Sequence, residues 1–329
     1  MTVMTVKLRL YTFIAGICLC CAAGVVLAQQ GPVAAMFASD QKRDAALALS
    51  FHTLDVQPTK TAAFPLRVYL SAGDLERAFD QSEFRPDAAI VPTNTDLLIA
   101  ASQPGTQRVL VDRVRKQPET LRGLEDQIAA RRKQPPAAAG KESGLLRIGI
   151  DMLVASLSGA GAFPRTVCLV ASDYANGGAI DHRELFAQDR VRKGIAACLT
   201  ALDAAGAQSV VLPLLGASSS EKQTNDPLYE GQRVLQECRL INAAAGIALG
   251  LHDFVPGRRS LKEIGIVQWD REVVGMFTPP GSRGFTPNAQ KAYRAYAEQV
   301  NQAVRKGLAG NKTTANDVDG SCSAIFNVQ

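Results

Sequence analysis

The chain has 329 residues, with 36 Lys and Arg against 31 Asp and Glu, 47% apolar and 20% charged residues, and a mean hydropathy near zero. That is enough for one large domain or two small ones, and it excludes a disordered polymer, a collagen-like repeat and a polytopic membrane protein. Setting aside Lys7 and Arg9, the basic excess falls from five to three, which excludes a nucleic-acid footprint.

Residues 1–9 carry two cations and no acid, and residues 10–25 are almost continuously apolar before Val26, Leu27 and Ala28. Small or β-branched residues at those last positions suit a signal peptidase, so residues 1–28 read as a secretory signal peptide, or as an N-terminal anchor where uncut. In either case the positive flank places the rest of the chain outside the cytoplasm, periplasmic or secreted, with membrane contact only through an uncleaved leader. Cys18, Cys20 and Cys21 lie within this leader. The body keeps Cys168, Cys198, Cys238 and Cys322, at spacings that form no CxxC metal or redox site. They are expected as small buried hydrophobes rather than as disulfides, with a Cys322 bridge left open by the oxidising compartment.

Residues 29–62 read as a polar N-terminal extension with one helical stretch over 40–49. The alternation at 66–70 predicts a strand leading into Ser71, Ala72, Gly73 and Asp74. A short buried strand at 88–91 is expected to stop at Pro92, before Thr93 and Asn94. Residues 107–133 have helical spacing and many charges, giving one helix or a pair broken at Pro118, and residues 134–140 read as a linker. For residues 146–157 the strand and helix readings stay even. Strands are predicted at 166–171, 209–215 and 264–269, a loop at 173–182, and helices at 184–205, 228–251 and 288–308, the first closing at Gly206. Apolar strands alternating with helices require a sheet covered on both faces.

In such sheets ligands gather beyond the carboxyl ends of the strands. Those ends carry Asp74, Asn94, the small-residue loop of Gly216, Ala217, Ser218 and Ser219, and Trp269 followed by Asp270. A carboxylate accepts from an exocyclic amine, an amide holds a sugar hydroxyl, a small-residue loop brings backbone N–H groups to phosphate, and an indole offers a stacking face. Singly, each has an ordinary reading: Asp74 a cap, Asn94 a turn residue, the loop a flexible connection, and Trp269 core.

Their order resembles the macro domain, the ADP-ribose-binding α/β/α module. The resemblance runs from about residue 66 to 277, through Gly73-Asp-Leu75, Asp87-Ala-Ala-Ile-Val-Pro-Thr-Asn94, the strand at 166–171, the helix at 184–205, Val210-Val-Leu-Pro-Leu-Leu-Gly216 and the strand ending at Trp269 and Asp270. It implies a three-layer α/β/α sandwich with a mixed, mostly parallel central sheet over residues 63–277, followed by a C-terminal helix and polar tail over 278–329. It also implies that Asp74 accepts from the adenine amine beside Leu75, that Trp269 stacks near the adenine, that Gly216, Ala217, Ser218 and Ser219 wrap the diphosphate, and that Asn94 faces the distal ribose. No cofactor or metal is implied. The partner is ADP-ribose, a related nucleotide or an ADP-ribosylated protein.

The chain departs from the family pattern at Pro92, where an Asn is usual, at residues 95–105, where a Gly-rich loop is usual, and at Pro104, where hydrolysing members place an Asp. Its phosphate loop has Ala217 and Ser218 in place of Thr and Gly. Binding is therefore expected ahead of hydrolysis. The alternatives are a hydrolase of an ADP-ribose or phosphate-sugar linkage, with a water held near Asn94 and Asp96, and a scaffold with no small ligand. Residues 167–174 also resemble the first strand of caspase-like peptidases, but no His and Cys pair follows at later strand ends, and no Gly-x-Ser-x-Gly elbow is present. His52, His182 and His252 do not cluster in sequence and are expected as surface or satisfied histidines.

Overall fold

The computed structural model describes residues 33, 52–56, 64–73, 86–94, 96–97, 106–134, 146, 151–158, 164–173, 188–215, 229–269, 286–318 and 322. In chain order the elements are β1 (His52–Val56), β2 (Leu66–Gly73), β3 (Ala88–Asn94), α1 (Thr106–Arg115), α2 (Pro118–Arg132), β4 (Met152–Ser156), β5 (Thr166–Asp173), α3 (Gln188–Ala204), β6 (Ser209–Pro213), α4 (Tyr229–Phe254), β7 (Glu263–Trp269) and α5 (Pro287–Leu308). Short 3-10 turns follow α4 (Val255–Gly257) and α5 (Ala315–Asp317).

The strands form one sheet in the order β1-β2-β7-β6-β3-β5-β4. The five inner strands run parallel, and the two edge strands β1 and β4 are antiparallel to their neighbours. Side chains alternate between the two faces with a period of two. Leu66, Val68, Ala88, Ile90, Cys168, Val170, Val210, Leu212, Ile264 and Ile266 face one core with α3, α4 and α5. Tyr69, Ala89, Val91, Val167, Leu169, Val211 and Val267 face a second core with α1 and α2. The result is a three-layer α/β/α sandwich with a mixed, mostly parallel sheet, as the sequence implies.

The helix ends follow their local chemistry. α2 starts on Pro118, where the missing proline N–H costs no intrahelical bond. α3 closes in a Schellman arrangement, with Gly206 at φ +85° and the Ala207 N–H donating to the Leu202 carbonyl. α4 is apolar on nearly all sides because it is wedged between α3 and α5. Its stretch Glu237–Gly257 has the length and hydropathy of a membrane span, but 83% of that window is buried inside the fold.

Five sequence expectations change. Residues 52–56 lie in the polar extension, yet they form edge strand β1 paired to β2. β3 does not stop at Pro92 but continues to Asn94, because at that level its partner is β5, and Pro92 lies opposite Val170. The even choice over residues 146–157 resolves as strand β4 over 152–156. Cys168 and Cys198 form a disulfide joining β5 to α3, and Cys238 and Cys322 form another joining α4 to the C-terminal segment, so the reading as free buried thiols is wrong. The expected helical stretch over 40–49 lies outside the described residues, as do residues 135–140 of the linker expected over 134–140 and residues 174–182 of the loop expected over 173–182, while Asp173 ends β5 instead of opening that loop.

Candidate functional site

Because β2, β7, β6, β3 and β5 are parallel neighbours, their carboxyl ends share one edge of the sheet. The register places Gly73 of β2 beside Trp269 of β7, Pro213 of β6 beside Val267 of β7, and Asn94 of β3 beside Asp173 of β5. Adjacent strands lie about 4.8 Å apart, so β2 to β3 spans roughly 14 Å along this edge. The chain leaves β3 toward β4 on one side and leaves β6 toward β7 on the other, which makes the β3/β6 boundary a topological switch point. Register pairing there covers only Ala88 with Val210 and Ala89 with Val211. Toward their carboxyl ends the two strands are joined to other neighbours, β3 to β5 and β6 to β7.

At the end of β3 the chain folds into a tight turn. The Asn94 side-chain oxygen accepts the Asp96 N–H at 3.1 Å, and the Asn94 carbonyl accepts the Leu97 N–H at 3.1 Å. Leu97 takes a left-handed backbone conformation, φ +55°, with its side chain fully buried in the second core. Arg132, the last residue of α2, reaches this turn and donates from Nη2 to the carbonyls of Asp96 and Leu97, both at 3.4 Å. Nothing in the sequence pairs Arg132 with this turn, since 35 residues separate it from Leu97.

Of the residues named from sequence, Asn94 stands at the carboxyl edge and performs the turn role. Asp96 follows it, half-buried, its N–H held by Asn94 and its carbonyl by Arg132. Trp269 ends β7 at the same edge, its backbone in register with Gly73, while its side chain lies outside the described residues. Asp74, Leu75, Gly216, Ala217, Ser218, Ser219 and Pro104 also lie outside them.

The opposite edge shows polar groups engaged in holding loops. The Asp87 carboxylate accepts the Gln208 and Ser209 N–H groups at 2.8 and 3.1 Å and so ties the start of β3 to β6. Asp203 accepts from the Arg259, Ser260 and Leu261 N–H groups, each at 2.8 Å, and from the Ser260 hydroxyl. Burial opposes its charge, but these bonds outweigh that and hold its carboxyl below the ordinary range. Arg258 is fully buried beside this turn, donating to the carbonyls of Leu261 and Phe64 and lying 4.8 Å from the Phe64 ring centre. Its guanidinium is depressed by burial, with the Asp203 charge acting the other way. Among the described residues no three His, Cys, Asp or Glu side chains gather as metal ligands.

No protein-family model matches the chain, and no curated protein matches its sequence. Solved structures to which this chain is similar include a mutant macrodomain of Oceanobacillus iheyensis, 10% identical, covering 78% of this chain and 99% of its own with a TM-score of 0.39. The Oceanobacillus iheyensis macrodomain with ADP is 12% identical, covering 78% and 98% at a TM-score of 0.35. Thermosipho africanus DarTG in complex with ADP-ribose is 11% identical, covering 65% and 43% at a TM-score of 0.31.

Proposed function

We propose that this chain is an exported macro-like module that binds ADP-ribose, or a related nucleotide or ADP-ribosylated partner, along the carboxyl edge of its sheet. One observation carries the reading. The motif segments occur in the chain as β2, β3, β6 and β7, but across the sheet the order is β2, β7, β6, β3. With the roles that the resemblance implies, that spatial order runs from the adenine amine (Asp74, beside Leu75) through the adenine face (Trp269) and the diphosphate (Gly216, Ala217, Ser218, Ser219) to the distal ribose (Asn94). This is the linear order of groups in ADP-ribose itself.

Binding is proposed ahead of hydrolysis for two reasons. Pro104 stands where the family's acid belongs, and the Asn94 side-chain oxygen already holds the Asp96 N–H. Export is proposed from the leader, and the two disulfides support it, since such bonds persist in oxidising compartments.

Isothermal titration of residues 29–329 with ADP-ribose, AMP and UDP-sugars tests the reading, with Trp269 emission followed in parallel because it is the sole tryptophan. ADP-ribose should bind and change the emission saturably. Asp74→Ala should weaken binding by about 1–3 kcal/mol, the cost of leaving a donor unpaired. A silent titration with all three ligand classes would remove the nucleotide reading.

A further inference from the structure

Residues 106–134 carry eight basic and four acidic side chains, and their last eight residues, 127–134, carry three cations and no acid. α2 runs from the amino edge of the sheet to the carboxyl edge. Thr120, near its start, donates to the Ser158 carbonyl just beyond β4. Gln127 pairs with both backbone groups of Ser156, whose β5 partner is Thr166, the first residue of that strand. Arg132, at its end, reaches the turn that follows Asn94. Arg132 and Lys133 are both exposed, Arg132 at the turn that ends β3 and Lys133 next to it in the chain.

We infer that Arg132 and Lys133 form an electropositive wall at the β3 end of the candidate site, acting on the phosphates of an anionic ligand held along that edge. The inference rests on the nucleotide reading above and adds a contributor outside every strand-end segment. Cations in the last turn of a helix also complement its own dipole. The contact between Arg132 and the Asp96 and Leu97 carbonyls separates this cluster from an ordinary helix end, because it brings an exposed guanidinium to the turn that ends β3. The wall therefore selects for charge, and its target is a diphosphate rather than a neutral nucleoside.

The test compares wild type, Arg132→Lys and the double variant Arg132→Gln with Lys133→Gln. Each is titrated with ADP-ribose, inorganic pyrophosphate and adenosine at low and high salt, and each is melted without ligand. The double variant should bind ADP-ribose and pyrophosphate about 5–30-fold more weakly at low salt, with the gap closing at high salt and adenosine unchanged. Arg132→Lys keeps the charge and should stay within about twofold for both phosphates.

Wild-type phosphate affinities in a folded double variant would overturn the wall and leave the nucleotide reading standing. Equal weakening of adenosine would also overturn it, in favour of a role confined to holding the turn. Wild-type binding of pyrophosphate but not ADP-ribose, lost in the double variant, would uphold the wall and remove the nucleotide reading. Binding of neither by wild type would overturn both.

Discussion

Leu97 is the single described residue other than glycine with a positive φ, a conformation that costs an L residue about 1–2 kcal/mol. Its fully buried side chain contributes about 2–3 kcal/mol, which outweighs the strain and keeps the turn after Asn94 at the carboxyl edge. A second residue-scale device closes the far end of the chain. Asp317 accepts from the Thr314 N–H and hydroxyl, both at 2.7 Å, and pairs with Lys306 of α5. The Lys306 bond, with burial acting against it and the Thr314 bonds adding to it, pushes the Asp317 carboxyl down to about 2. An unfolded Asp titrates near 3.9, so folding favours the ionised form. The stability this contributes is fully present above about pH 4 and disappears as the pH falls toward 2. Asp317→Asn should cost about 1–2 kcal/mol at pH 7, after discounting for partial exposure, and almost nothing near pH 2. Thermal melts of both proteins across that range check the sign, and a difference that does not change with pH would refute it.

At the scale of elements, glycine sets how closely α5 approaches α4. A Cβ on Gly307 would meet the Ala248 Cβ at 2.6 Å, the Ala245 carbonyl at 3.0 Å and the Leu249 nitrogen at 3.1 Å, all on a helix that cannot yield. In an open helix Ala is preferred to Gly by about 1 kcal/mol, but the steric conflict here reverses the sign. Gly307→Ala should destabilise by about 1–3 kcal/mol, whereas Gly257→Ala, with no atom within 4 Å, should change stability by less than about 0.5 kcal/mol. Urea unfolding of the two variants measures the contrast.

Elements of this kind were legible in the sequence where burial imposes a period. The strands at 66–70, 166–171 and 264–269 follow from it, and the break at Pro118, one of two readings left open for residues 107–133, follows from the chemistry of proline. β1 was not legible, because five residues reading His-Thr-Leu-Asp-Val on an exposed-sounding extension carry little apolar signal, and β2 alone recruits them. The run of β3 past Pro92 depends on which neighbour lies beside it, which no local pattern encodes. Arg132 at the turn was hidden for a related reason: cations at a helix end look the same whether they face solvent or a site. The strand-end segments at β2, β7, β6 and β3 were readable one by one, while their spatial order required the sheet topology.

At the scale of the whole molecule, two disulfides join distant parts of the chain. Cys168–Cys198 fastens the sheet to α3 across 30 residues of chain, and Cys238–Cys322 fastens α4 to the C-terminal segment across 84. The four side chains are at most 3% exposed, which is why periodicity alone presents them as apolar core: burial is legible in each element, but adjacency between elements is not. By loop-closure entropy the two bonds stabilise by at most about 3.6 and about 4.6 kcal/mol, comparable together with the net stability of a domain. A fold relying on both is suited to an oxidising compartment, so the proposed leader and the cysteines make one joint prediction. Residues 1–60 fused to a reporter active only outside the cytoplasm should give signal. Protein recovered from that compartment and denatured without reductant should then show no reactive thiol in residues 29–329, and reduction should expose four. Reduced protein should also melt well below the oxidised form, because the unfolded chain regains the freedom that both loops remove. Cytoplasmic reporter activity alone would remove export, and four reactive thiols in the unreduced exported protein would remove the disulfide framework. Each result leaves the other claim to stand on its own measurement.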